Sequence, residues 1–155
     1  MRQWLPVWLS PAILLVVAGC GDSSVAPDFP DDYKQSYVEV RDCRKSGDHD
    51  LHFIRVLADP DARGPFLDRA TPFPDGAVVL KEEYDFADDT CTGEILQWTV
   101  MVKNAAASDR LGWDWQRVDS DRNVVEDEAP RCFGCHQSCT GTPPEVGYDF
   151  TCAEP

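Results

Sequence analysis

The run Cys132-Phe133-Gly134-Cys135-His136 constrains this chain more than any other stretch. Two thiols three positions apart on a tight turn suit addition to the two vinyl groups of one haem. The histidine that follows then presents its imidazole to the iron, so the pattern points to haem c as cofactor, with Cys132, Cys135 and His136 as cofactor-binding residues and His136 as the metal ligand. The same residues admit three other uses. One is a thioredoxin-like Cys132–Cys135 redox pair. Another is a zinc site built from Cys132, Cys135, His136 and Cys139. The third is ordinary structural disulfides.

The N-terminus reads as an export signal. Arg2 gives a positive start, and Trp4 to Val17 is apolar with interruptions at Pro6, Ser10 and Pro11. That run is too short to span a bilayer and is followed by polar sequence, so residues 1–19 read as a signal peptide. Val17-Ala18-Gly19-Cys20 resembles a bacterial lipobox, with lipidation at Cys20 as the expected membrane anchor; cleavage near Ala18 in a conventional signal peptide is the alternative. Localisation would be exported, on a membrane facing the periplasm or cell surface. Residues 20–32, with Asp, Ser, Pro and Gly, read as a flexible tether, and residues 33–155 as one haem domain.

The seven cysteines divide without remainder on the haem reading. Cys20 takes lipid, and Cys132 and Cys135 take haem. Cys43, Cys91, Cys139 and Cys152 are left as disulfide candidates. Three pairings exist; Cys139–Cys152, which closes a short terminal loop, and therefore Cys43–Cys91, is favoured. The net charge of −14 excludes ordinary nucleic-acid binding.

Between the two ends the pattern is β. Leu51 to Ala58, Ala77 to Phe86, Ile95 to Lys103 and Gly112 to Val118 alternate and are bounded by turn residues, which predicts an antiparallel sheet. Alternation places Arg55 with Leu51, Phe53 and Leu57, and Lys81 with Ala77 and Val79. Trp98, Val100 and Val102 share a face, and so do Trp113, Trp115 and Arg117. Tyr33, Tyr37 and Val40 predict a short helix between Asp32 and Cys43. Asp59 to Asp75 reads as a loop, and Glu126 to Arg131 as a loop ending in one helical turn. No methionine or histidine follows His136, and Met101 reads as core. His49 and His52 are available, but His52 falls on the strand face opposite Arg55. An open distal side of the iron is therefore expected, suited to small diatomics or a small nitrogenous substrate.

Four stretches carry a family resemblance. They are His52-Phe53-Ile54-Arg55-Val56, Phe73-Pro74-Asp75-Gly76-Ala77-Val78-Val79-Leu80-Lys81-Glu82, Trp98 to Lys103, and Gly112-Trp113-Asp114-Trp115, with the haem motif closing the domain. In this order the chain resembles the cytochrome P460 and cytochrome c′-beta family. The resemblance implies a mainly β fold with few short helices (α+β), an antiparallel sheet carrying one c-type haem, often in a homodimer. It implies hydroxylamine oxidation or nitric oxide chemistry, with Lys81 as the lysine linked to the haem edge in cytochrome P460 and Arg55 as a distal arginine; both are expected as catalytic residues. The alternative it implies is non-enzymatic binding of nitric oxide or carbon monoxide, or electron transfer to an unknown redox partner. A glutamate expected just after Lys103 is replaced by Asn104, for which Glu82, Glu83 or Asp114 are candidate substitutes.

Overall fold

The computed structural model describes residues 25–141 and 147–152. The expected signal peptide and Cys20 lie outside the described residues. Six strands form one antiparallel sheet in chain order, β1 to β6. They are β1 Val38–Lys45, β2 Phe53–Ala58, β3 Val78–Tyr84, β4 Gln97–Lys103, β5 Trp113–Asp119 and β6 Val124–Asp127. Two short helices join them, α1 Pro60–Asp68 between β2 and β3, and α2 Pro130–His136 after β6. The expected mainly β, antiparallel fold is what the chain adopts.

Three local expectations are corrected. Residues Asp32 to Cys43 do not form an α-helix. A single 3₁₀ turn, Tyr33–Gln35, gives way to β1. Register shifts between Glu39 and Arg41 and between Arg41 and Arg44 break the strict alternation of β1, which removes its sequence signature. Second, residues 60–68 are a helix and not a loop. The Asp59 carboxylate accepts from the Ala62 N–H at 2.7 Å, and Pro60 fills the first helical position, where its missing donor costs nothing. The helix stops at Arg69, which adopts a left-handed conformation (φ 52°). Third, packing begins before residue 33. Phe29 is buried, Asp28 N–H donates to Gln116 Oε1, and Arg122 donates to the Phe29 carbonyl, so part of the expected tether lies against the sheet.

Each face of the sheet carries its own apolar layer. One holds Val56, Phe66, Phe73, Val79, Met101, Trp113 and Trp115, with α1, α2 and the C-terminal segment packed over it. The other holds Phe29, Tyr33, Leu57, Leu80, Trp98 and Val100. β3 is central and apolar for most of its length, yet it buries charge on both sides. Lys81 and Glu83 follow Val79 onto the first face, while Glu82 follows Leu80 onto the second. The Glu82 carboxylate is offset there by Tyr33 Oη at 2.5 Å and Tyr84 Oη at 2.6 Å. Disulfides join Cys43 to Cys91 and Cys139 to Cys152.

Candidate haem site

Helix α2 carries the cysteine–histidine motif and lies over the first face. Ala129 N–H donates to the Trp115 carbonyl, so β5 sets where the helix starts. His136 is buried, and its ring meets Trp115 edge-on with centroids 4.8 Å apart. Its Nδ1 lies 2.6 Å from the Phe150 carbonyl oxygen, which makes Nδ1 the protonated nitrogen and leaves Nε2 with its lone pair free. Burial, then the nearby Lys81 charge, holds this imidazole's pKa down to about 4, so it stays neutral. A neutral imidazole with one nitrogen anchored is what a metal requires of a histidine ligand.

The segment carrying Phe150 is itself pinned. Lys103 Nζ pairs with Asp149 at 2.7 Å, Trp113 Nε1 donates to the Asp149 carbonyl, and Cys139–Cys152 ties the end to α2. Gly147 has φ 91°, and a Cβ there would stand 2.6 Å from the Cys139 carbonyl carbon, so only glycine permits this approach.

A cavity of about 470 Å³ opens beneath α2. Val56, Val79, Met101 and Trp115 supply apolar wall, Cys132, Cys135 and His136 line one side, and Lys81 and Glu83 rise from β3. The loop between β1 and β2 borders it with Asp48, His49 and Asp50. Lys81 is partly buried in the cavity wall, and desolvation lowers its pKa to about 8 against the opposing pull of Glu83. Burial alone would raise the Glu83 carboxyl, but hydrogen bonds from His49, Gln97 and His52 bring it down to about 2.

Arg55 stands elsewhere. It pairs across the ladder with Glu82, whereas Lys81 pairs with Val56. Cross-strand partners share a face, so Arg55 lies on the opposite side of the sheet from Lys81. There it reaches Glu39 at 3.1 Å and Glu82 at 4.0 Å. The expectation that Arg55 and Lys81 flank one ligand is therefore corrected. His52 is on the cavity side with Glu83, and His49 joins it. Asn104 donates to Asp114 at 2.7 Å, away from the cavity. Of the three candidate substitutes, Glu82, Glu83 and Asp114, Glu83 is the one that lines the cavity.

The donor set fits a covalently attached haem. Cys132 and Cys135 are the two described cysteines left free, and both line the cavity beside His136. The competing uses lose ground on the same observations. A zinc site would need Cys139, which is bonded to Cys152. A redox nucleophile wants a depressed thiol, and burial raises that of Cys132. The structure adds residues that sequence reading passed over: His49 as the partner of Lys81, and Met101 and Trp115 as cavity wall. Residues 30–143 match the family profile described as Cytochrome P460. No curated protein matches the chain significantly.

Proposed function

The chain belongs to the cytochrome P460 family and is thus a haem protein; from that premise we propose a c-type cytochrome with an open ligand side that acts on hydroxylamine or nitric oxide. One observation carries the reading: two free thiols and an anchored, neutral imidazole line the same cavity as a partly buried lysine. Cys132 and Cys135 would hold the macrocycle as thioethers, and His136 Nε2 would be the ligand to iron. When bound, the haem supplies an iron centre that exchanges electrons and takes small ligands.

The chain's own part is to shape and charge the space around that centre. Val56, Val79 and Met101 give the space an apolar wall. Lys81 offers hydrogen-bond donors to a polar or anionic ligand in a desolvated setting, where such bonds are strongest. Glu83, through His49, gives protons a route between the cavity and the partly exposed β1–β2 loop.

A second reading is a non-enzymatic nitric oxide or carbon monoxide binder. Asn104, in the position expected for a glutamate, favours it. Hydroxylamine-dependent reduction of a dye by the purified holoprotein separates the two; saturable gas binding without turnover supports the second. A red-shifted ferrous Soret band that Lys81→Ala abolishes supports attachment of Lys81 to the ring, and an ordinary five-coordinate c-haem band in the native protein refutes it.

The proposal includes export and a lipid anchor at Cys20, supported by the lipobox-like Val17-Ala18-Gly19-Cys20. Loss of membrane association in Cys20→Ala is the expected result. Unchanged association removes the anchor from the proposal.

A further inference from the structure

Lys81 belongs to a hydrogen-bonded chain of defined direction. Its Nζ lies 2.5 Å from His49 Nε2, and His49 Nδ1 lies 3.2 Å from Glu83 Oε1. The amine is the donor in the first contact, so Nε2 accepts; the imidazole proton then sits on Nδ1 and points at the carboxylate. Carboxylate, imidazole and nucleophile in that order are the arrangement by which a base activates a weak nucleophile while a third group orients the base. The carboxylate is fixed from its other oxygen by Gln97 at 2.7 Å and His52 at 3.1 Å. The loop carrying His49 is held to the start of α2 by Arg131 and Asp50 at 3.0 Å.

We propose that Glu83 and His49 form a base relay that leaves Lys81 an unprotonated, nucleophilic amine able to attack an activated acyl group that enters the cavity. His49 and Glu83 are positioning residues: His49 touches Lys81, and Glu83 acts on it through His49. One proton passes from Nζ to His49 Nε2, and the Glu83 carboxylate balances the imidazolium. The freed electron pair on Nζ forms the bond to carbon. The leaving group departs with its bonding pair, and the second Nζ proton goes to solvent. The charged and titratable neighbours of Lys81 support the transfer unequally. Glu83 and Asp48 favour the ammonium, as thiolates at Cys132 or Cys135 would, while burial disfavours it more strongly.

The inference rests on the haem reading only for what else shares the cavity; the relay itself is tested with acetic anhydride, whose acetyl carbon is attacked and whose acetate departs with the bonding pair. The full chain, matured with its haem, is pulsed with trace reagent from neutral to mildly alkaline pH, and every lysine is read by mass spectrometry. Lys81 is expected to be consumed first, as acetyl-lysine, ahead of the exposed Lys34 and Lys45. His49→Gln is expected to slow this on the order of a hundredfold, the low end of a general-base contribution. Glu83→Gln should act in the same direction, and Tyr33→Phe, on the other face of the sheet, should leave the rate near that of the native chain. His49 lies in a surface loop, so its variant remains informative if the buried Glu83→Gln fails to fold. Lys81 reacting no faster than Lys34, or equally fast in His49→Gln, overturns the relay. Haem on the Cys132–His136 peptide is read in the same digest, so loss of the haem reading is told apart from loss of the relay.

Discussion

Removing the Cys139–Cys152 disulfide tests how the iron-side histidine is held. The bond closes a sequence separation of 13, and cross-linking such a loop restricts the unfolded chain by about 3 kcal/mol at room temperature. Cys43–Cys91 closes 48, for which the same relation gives about 4 kcal/mol. On stability alone, then, Cys43→Ser/Cys91→Ser is the more damaging pair. Function reverses the order. Cys152 follows the Phe150 carbonyl by two positions, and that carbonyl accepts from His136 Nδ1 at 2.6 Å. Freeing the segment loosens the acceptor that orients the ring and raises its basicity, a loss that typically weakens metal ligation by about 10- to 100-fold. Urea unfolding under non-reducing conditions, followed by tryptophan fluorescence, gives the stabilities. Acid titration of the absorption spectrum gives the strength of histidine ligation. Cys139→Ser/Cys152→Ser should lose His136 at higher pH than the native protein, while the other pair should not. Equal spectral sensitivity in both double variants would refute the reasoning.

Three further outcomes follow from the packing. Trp113 is fully buried between Phe73 and Lys103, so Trp113→Ala should cost about 3–5 kcal/mol in a denaturant titration. Tyr33→Phe takes one of two hydroxyls from the buried Glu82 carboxylate, and should cost about 1–3 kcal/mol with no change in the haem spectrum, since it acts on the far face. Stability should also depend on pH through Glu83 and Lys81. The Glu83 carboxyl is held near 2 against 4.5, so the unfolded chain binds more protons between those values and stability is lost as pH falls through them. Lys81 is held near 8 against 10.5, so stability rises with pH across that window, and thermal melts of Lys81→Met should lack the rise.

The sheet was legible where the alternation was clean. Val79 with Lys81, Trp98 with Val100, and Trp113 with Trp115 all fall on the faces that the period of two assigns. β1 was not legible, because two register shifts spoil its period and Tyr33, Tyr37 and Val40 imitate a helical spacing. The start of α1 was present in Asp59-Pro60, a cap followed by a proline suited to the first turn, but the proline-rich context read as loop. Arg55 was misplaced for a deeper reason. Alternation tells which residues of one strand go together; it does not tell which set of the next strand shares their face. That is fixed by register, and pairing Val56 with Lys81 sends Arg55 to the other side. His49 lay in a loop whose Asp50 and Leu51 take positive φ, beyond the reach of any periodic argument.

The meander has a kinetic consequence. Every ladder joins strands that are neighbours in sequence, so no pairing has to wait for a distant partner, a topology that favours rapid folding. Helix α2 comes after the last strand. Every ladder, and the Cys43–Cys91 bond, can therefore form without any contact from α2. The motif thiols ride on the one regular element that no ladder needs, so the structural pair and the pair left free belong to separable parts of the fold.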